Sequence, residues 1–100
     1  MIIVIGSATV RADAAAEALG LCQTHVERSR REAGCVRHGV HIDNEDPGRL
    51  VFVEYWRSLE DLQKHFEVPE SLDFVKQLGR LSVSAPAMEI FQSEPLAWPT

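Results

Sequence analysis

Apolar residues follow two different spacings in the first third of the chain, and these predict a strand followed by a helix. Residues 2–10 are rich in β-branched side chains and end in polar ones, which is typical of a strand. Asp13 then provides a side chain that can cap a helix, and Gly34 provides a residue that can end it. Between them, apolar side chains recur at i, i+4, i+7 and i+11, the spacing of one helical stripe: Ala15, Leu19, Cys22 and Val26.

The middle of the chain predicts a β-hairpin. Residues 36–42 alternate in the manner of a strand, with Val36, His38, Val40 and Ile42 on one side, and a second strand-like run covers residues 50–57. The polar segment 44–48 between them contains residues that favour turns, with Pro47 and Gly48 suited to its centre. We therefore expect two antiparallel strands joined by this loop.

Helical spacing returns after the hairpin. Ser58 and Asp61 resemble a capping box, and helical spacing continues until Pro69 interrupts it. A further helical segment is predicted by the apolar side chains Leu72, Val75, Leu78 and Leu81, and residues 88–93 are predicted as a last strand. The order β-α-β-β-α-β is that of the ferredoxin-like fold, an α+β arrangement. Its first and third strands are central in an antiparallel sheet, and its helices cover one face.

The two strands predicted to be central are apolar on both faces. Helices on one side of a sheet bury only one of those faces, so something else must cover the other. The side chains that would face away from the helices are Ile3, Ile5, Val51, Val53 and Tyr55. Each of them contributes about 1.5–3 kcal/mol when buried, before ordering costs. We therefore predict a homodimer through the sheet face; the alternative is a monomer with an exposed apolar face.

Composition and charge narrow the class of protein. Lys and Arg number 10 and Asp and Glu 15, giving a net charge of −5, so the chain lacks the basic surface that nucleic-acid and anionic-membrane binders use. No apolar stretch approaches the roughly 20 residues of a membrane-spanning helix. Two cysteines cannot form the disulfide framework of a small secreted domain, which favours the cytoplasm. One domain is predicted over residues 1–100, with a core at about 2–93 and a tail at 94–100.

Three short motifs resemble the antibiotic biosynthesis monooxygenase (ABM) domain family. They are EAGC at residues 32–35, VEYW at residues 53–56 and LQKH at residues 62–65. The usual family runs are Glu-Pro-Gly-Cys, then Glu-x-Trp, then a helix ending in His, and the resemblance extends over about residues 2–93. Ala33 replaces the usual Pro, and residues 68–71 stand where the family often has a second His.

The resemblance implies a dimeric α/β-barrel in which each subunit holds a pocket between its helices and its sheet. It also implies oxidation of a small hydroquinone, polyphenol or polyketide-type aromatic by O₂, without metal or flavin. Other relatives cleave haem, isomerise lactones or have no assigned activity, so the fold does not decide the reaction. Ser7 stands where haem-cleaving relatives carry Asn, which disfavours that activity.

Oxidation without a cofactor requires a base, because a deprotonated phenol gives electrons to O₂ more readily, and an apolar cavity to hold it. His65 is the candidate base, since its ordinary pKa near 6.5 leaves it largely neutral at pH 7. Trp56 is expected to stack on the substrate or to be plain core, and Glu54 to bind substrate or to pair with an Arg or His. The expected apolar lining is Leu62, Phe66 and Phe74.

The sequence shows no cofactor motif, and the glycines are scattered rather than clustered in a phosphate loop. His38 and His41 are three residues apart on a strand and point to opposite faces; His25 and Cys22 share a helix side, but two ligands do not make a site. We therefore predict neither metal nor cofactor. The alternative functions are a non-catalytic, aromatic-binding or stress-responsive protein and, less favoured, a haem-degrading monooxygenase.

Overall fold

The computed structural model describes residues 1–99, and its elements follow the predicted order. Thr100, the last residue of the predicted tail, lies outside the described residues. The elements are β1 (Ile2–Thr9), a 3₁₀ turn (Ala12–Ala14), α1 (Ala15–Ser29), β2 (Cys35–Asp43), β3 (Asp46–Trp56), α2 (Leu59–Glu67), α3 (Pro69–Leu81) and β4 (Ala87–Gln92). The strands form one antiparallel sheet in the order β2-β3-β1-β4. The predicted α+β ferredoxin-like fold is confirmed, with its second helical region divided into α2 and α3.

The central strands β1 and β3 alternate strictly between a covered and an open face. Their covered face packs against Cys22 of α1, Leu62 of α2 and Leu78 of α3, so all three helices lie on the same side of the sheet. The open face carries the five predicted side chains, each of them half-buried: Ile3, Ile5, Val51, Val53 and Tyr55. The predicted facing of both central strands is therefore confirmed.

The hairpin turn lies three residues earlier than predicted. Asn44 and Glu45 form it, while Pro47 and Gly48 belong to the first residues of β3, so their assignment to the turn centre is wrong. The Asp43 carboxylate accepts a hydrogen bond of 2.8 Å from the Glu45 N–H and closes the turn itself. Proline has no N–H to donate to the sheet, and it is tolerated at the start of a strand because no such hydrogen bond is needed there.

Two helical stripes differ from the prediction in part, since Cys22, Val26 and Leu78 are buried as expected. In α1, Leu19 is exposed and Ala18 is fully buried in its place; in α3, Leu72 and Val75 are about 60 % exposed whereas Phe74 is buried. The predicted Asp13 cap is also absent, because a 3₁₀ turn leads into α1 without a side-chain cap. His25 and Ser29 of α1 are also buried. None of the helices among residues 1–99 is long and apolar enough to cross a membrane.

Candidate active site

A cavity of about 330 Å³ lies between the sheet and the helices α2 and α3. Its surface is mostly apolar and includes the rings of Phe66 and Phe74. Five polar residues also line it: Ser7 from β1, His25 from α1, Glu54 from β3, His65 from α2 and Ser71 from α3. An apolar cavity with a few convergent polar groups is the usual form of a small-molecule site.

His65 lies in the last turn of α2 and is 3 % exposed. The helix begins as predicted, because the Asp61 N–H donates to the Ser58 hydroxyl at 3.1 Å. The His65 Nδ1 lies 3.0 and 3.1 Å from the two carboxylate oxygens of Glu32. An ionised carboxylate only accepts hydrogen bonds, so Nδ1 carries the hydrogen and Nε2 keeps its lone pair.

The charge state of His65 is set by two opposing effects. Burial lowers the pKa of His65 below its ordinary value, while the hydrogen bond and the negative charge of Glu32 oppose that fall. The net effect is a lowered pKa, so the imidazole is neutral near pH 7. A neutral imidazole with a free Nε2 is a general base.

Glu32 is held in position by the loop between α1 and β2. Its N–H donates to the Ser29 carbonyl at 3.0 Å, and its own carbonyl accepts from the Cys35 N–H at 3.2 Å. Gly34 makes this tight turn possible: its φ is +83°, and a Cβ atom there would overlap the Asp61 carboxylate. The EAGC motif therefore places a carboxylate against the end of α2.

Arg28 joins His25 to the same network. One of its amino groups, Nη2, donates to His25 Nδ1 at 2.9 Å and to the Ser71 hydroxyl at 2.8 Å. The other, Nη1, donates to Glu32 at 3.0 Å. A guanidinium only donates, so His25 Nδ1 must be the acceptor and the ring hydrogen lies on Nε2. His25 thus has the tautomer opposite to that of His65.

The pKa of His25 is lowered to about 3, first by burial and then by the neighbouring histidines and Arg28. Its ring stacks on that of Phe74, with centroids 3.8 Å apart and an interplanar angle of 4°. This stacking fixes the imidazole plane at the cavity wall. His25 is therefore a neutral, oriented side chain.

Glu54 is paired on the sheet. The Trp56 indole N–H donates to Glu54 Oε1 at 3.0 Å, and His38 Nε2 lies 3.3 Å from the same oxygen in a poor orientation for a hydrogen bond. Both ring nitrogens of His38 are buried without a hydrogen-bond partner among residues 1–99. Burial by itself raises the pKa of Glu54, but His38 and Trp56 outweigh it and hold that pKa below its ordinary value.

Three imidazoles lie close together at the cavity, as in many metal sites. One ring nitrogen each of His25, His38 and His65 lies within 4.8 Å of the others, and histidine clusters of this kind bind transition metals. Coordination needs a lone pair directed inwards from each ring. The Arg28 guanidinium occupies the lone pair of His25, so its Nε2 keeps a hydrogen. The trio therefore does not fit a three-nitrogen metal site.

Comparisons with known proteins identify the family of this chain. The family model described as antibiotic biosynthesis monooxygenase, ABM, matches residues 1–77. The chain belongs to the ABM family. Among curated proteins, an uncharacterised protein of Synechocystis is 31 % identical over 91 residues, which are 91 % of this chain and 62 % of the relative. The ABM chain thus spans less than two thirds of that relative's length.

Solved structures show the same fold. A Deinococcus radiodurans protein, described provisionally as an antibiotic biosynthesis monooxygenase, has a TM-score of 0.93 and 23 % identity. The match covers 100 % of the ABM chain and 99 % of that protein. A Mycobacterium tuberculosis protein has a TM-score of 0.88 and 26 % identity, with 97 % and 98 % of the two chains covered. The first of these likenesses bears on the fold alone.

The structure places the predicted site residues of this ABM domain in two layers. Four of them line the cavity: Glu54, His65, Phe66 and Phe74. Trp56 and Leu62 do not line it, and both are fully buried. The Trp56 ring lies 4.6 Å from that of His65, and Leu62 packs with Ile2 and Val4. Trp56 therefore packs against the candidate base His65 and donates a hydrogen bond to Glu54.

Three residues of the network had no predicted role in the site. His25, Arg28 and Glu32 are spaced at i, i+3 and i+7, which places them on one side of a helix and its extension. His25 also follows the buried Cys22 by three residues. That spacing is visible in the sequence of the ABM domain. His65, the hydrogen-bond partner of Glu32, lies 33 residues further along the chain, so the spacing alone does not connect the two.

Proposed function

We propose that this ABM domain is a monooxygenase that oxidises a small hydroquinone, polyphenol or polyketide-type aromatic with O₂, without metal or flavin. The observation that carries the proposal is the pair of His65 and Glu32 at the cavity. It supplies a neutral imidazole whose tautomer is fixed by a carboxylate at 3.0 Å. A positioned base of this kind contributes about 10²–10⁴-fold to a rate.

The reaction assigns one proton transfer to the protein. A substrate hydroxyl loses its proton to Nε2 of His65, and the resulting anion gives electrons to O₂. One oxygen atom enters the ring and the other leaves as water. The substrate supplies all four electrons, so a hydroquinone becomes a hydroxyquinone and no external reductant is needed.

The cavity supports this chemistry in size and polarity. Its volume of about 330 Å³ is at the small end of the usual range for ligand sites, roughly 300–1,000 Å³. The rings of Phe66 and Phe74 offer flat apolar surface to a planar substrate. A substrate that displaces water from such a cavity strengthens its hydrogen bonds to His65 and its neighbours.

We also propose that a second copy of the chain covers the open face of the sheet. Five half-buried apolar side chains of β1 and β3 lie there without cover from the helices. Further apolar side chains are exposed near the C-terminus: Met88, Ile90, Phe91, Leu96 and Trp98. Exposed apolar surface on this scale favours association, and a two-fold interface would bury the same patch on both subunits.

An oxygen-electrode assay tests the function. Chelator-treated protein is given a panel of hydroquinones and naphthalenediols, and enzyme-dependent O₂ uptake is measured. His65→Gln keeps a donor for Glu32 but is no base, and is expected to lower kcat at least about 100-fold. The control, His41→Gln, changes an exposed histidine of β2 and is expected to keep full activity.

Three results would contradict the proposal. Wild-type protein without uptake on any member of the panel is the first, and full activity of His65→Gln is the second. Quenching of tryptophan fluorescence by the aromatics with no O₂ uptake would favour the non-catalytic binding protein. A Soret band on haem titration, followed by haem breakdown, would favour haem degradation.

A further inference from the structure

Two imidazole edges of opposite hydrogen-bonding character meet at one cavity. His25 and His65 both line it, and their ring centroids are 5.4 Å apart. Arg28 holds His25 as the Nε2–H tautomer, while Glu32 holds His65 with a free Nε2 lone pair. His25 therefore offers a donor and His65 an acceptor.

Both Nε2 atoms are available to a ligand. Neither has a hydrogen-bond partner within residues 1–99. The sealed and unpartnered side-chain nitrogens of that part of the chain belong to His38 alone. The Nε2 atoms of His25 and His65 thus keep access to the cavity that both residues line.

We propose that a single substrate oxygen binds between these two nitrogens, with His25 as a second catalytic residue. The His25 Nε2–H donates to the oxygen while His65 Nε2 accepts its proton; the catalytic part of this inference rests on the proposed function. One ring nitrogen of His25 and one of His65 lie within 4.8 Å of each other, and both Nδ1 atoms are already hydrogen-bonded. We therefore place the oxygen between the Nε2 atoms, at ordinary hydrogen-bond lengths of about 2.7–3.2 Å. A hydroxyl suits this position because it has one donor and two acceptor lone pairs.

Proton transfer strengthens both contacts. The substrate O–H bond breaks, an N–H bond forms at His65 Nε2, and the electron pair stays on the oxygen. The new imidazolium lies against the Glu32 carboxylate, and the new oxyanion accepts hydrogen bonds from both histidines. Arg28, 2.9 Å behind His25, adds positive charge on the far side of the ring.

The pair of tautomers also defines a ligand class. A phenol or an enol satisfies both nitrogens through one oxygen. The methyl ether of the same phenol has no proton for His65, and a carboxylate sets a negative oxygen against its lone pair. Leaving a buried polar group unpaired costs about 1–3 kcal/mol, so we expect at least about 5-fold weaker binding of the ether.

Nuclear magnetic resonance of ¹⁵N-imidazole-labelled protein tests the tautomers without any substrate. The expected result near pH 7 is a hydrogen on Nε2 of His25 and on Nδ1 of His65. The same tautomer at both residues, or a hydrogen on His25 Nδ1, would overturn the proposal. Assignment uses His25→Gln, His65→Gln and His41→Gln, each of which removes one set of signals.

Binding of 4-nitrophenol tests the oxyanion contact, because its anion absorbs visible light. The wild-type cavity is expected to raise the ionised fraction of the bound phenol about 10-fold relative to water, and His25→Phe to lose most of that gain. An unchanged ionised fraction in His25→Phe would overturn the proposal. Cobalt(II) bound with a three-nitrogen spectrum that displaces the phenol would overturn it as well.

The two proposals fail in different ways. In the O₂ assay, His25→Phe is expected to lower kcat about 100-fold with a smaller change in KM, as removal of an oxyanion donor does. Full activity of His25→Phe overturns the role of His25 and leaves the monooxygenase standing. Opposite tautomers and phenol ionisation in a protein without O₂ uptake support the phenol-binding pair and contradict the monooxygenase.

Discussion

Neighbouring residues of β3 face opposite sides of the sheet and meet different surroundings. Trp56 is fully buried beneath the helices and donates to Glu54, whereas Tyr55 is half-buried on the open face with the Arg37 guanidinium 5.3 Å above its ring. The covered face holds buried ionisable groups, whereas the open face of the two central strands is apolar over Ile3, Ile5, Val51 and Val53. The proposed chemistry and the proposed assembly thus use opposite sides of the same strands.

The covered face pairs most of its polar groups, with the ring nitrogens of His38 as the exception. Glu32 lies between Arg28 and His65, and Glu54 accepts from Trp56. A buried polar group costs free energy unless it is hydrogen-bonded, so each pair limits that cost. The apolar side chains of the open face contribute to stability only when another surface covers them.

Substitution of the adjacent Trp56 and Tyr55 gives the largest expected difference between the faces. Trp56→Ala is expected to lower the free energy of unfolding by about 3–5 kcal/mol, since it opens a cavity and leaves Glu54 without its donor. Tyr55→Ala is expected to cost less than half of that. Urea unfolding of both variants measures the difference, and equal costs would contradict the distinction between the faces.

A charge on the open face tests the assembly. Val53 pairs with Ile5 at the centre of that face, so Val53→Arg would bury an uncompensated guanidinium in the proposed dimer. We expect the dimer dissociation constant to rise at least about 30-fold, or about 2 kcal/mol. Sedimentation equilibrium measures the dissociation constant. The control is Gln63→Arg, which adds the same charge at an exposed position of α2. A wild-type monomer at micromolar concentration would refute the assembly.

The buried histidines of the covered face make stability depend on pH. Unfolding restores the ordinary pKa of His25, near 6.5, from about 3 in the folded chain. Between pH 6.5 and about pH 3, His25 is protonated in the unfolded state but not in the folded state. The free energy of unfolding therefore falls as the pH falls. Three neighbouring groups lower the pKa of His25 further: His38, His65 and Arg28. Glu54 opposes them and raises it.

Each such proton contributes a slope of about 1.4 kcal/mol per pH unit. His25→Gln is expected to reduce the slope by that amount between about pH 6 and pH 4, and to change nothing above pH 7. Thermal or urea unfolding at several pH values measures it. His41→Gln, on the exposed part of β2, is expected to keep the wild-type slope. An undiminished slope in His25→Gln would contradict the assigned burial effect.

Features that depend on nearby residues could be predicted from the sequence. The Ser58 cap is one, because donor and acceptor are three residues apart, and the alternation of β1 and β3 is another. The helical stripes were predicted in part: Cys22 and Val26 are buried as expected, but Ala18 is buried rather than Leu19, because both are apolar and periodicity does not choose between them. Packing against the sheet decides which of the two is buried.

The histidine cluster depends on long-range register. His38 pairs with Glu54 only after an irregularity between Cys35 and Arg37, which leaves Val36 about half exposed. Simple alternation therefore places Val36 and His38 alike and does not identify His38 as the buried one. The contact of His65 with Glu32 joins α2 to the loop after α1 and has no local signal.

The smallest expected effect concerns the charge behind the base. Glu32→Gln keeps an oxygen that accepts from His65 Nδ1, so the tautomer is preserved, but it removes the negative charge that holds the pKa of His65 up. That pKa then falls further, and the acid limb of the pH profile of kcat/KM moves to lower pH. A weaker base transfers the proton less readily, so we expect kcat/KM at pH 7 to fall about 10-fold, which corresponds to about 1.4 kcal/mol.

The control for this last variant is Glu60→Gln, which removes a carboxylate from the exposed side of α2. It is expected to keep the wild-type profile. Glu32→Ala adds the loss of the acceptor itself, so the His65 tautomer is no longer fixed and activity is expected to fall further than in Glu32→Gln. If Glu32→Gln leaves the acid limb in place, the charge of Glu32 does not reach the base. Its role on the covered face is then that of an ion-pair partner for Arg28 alone.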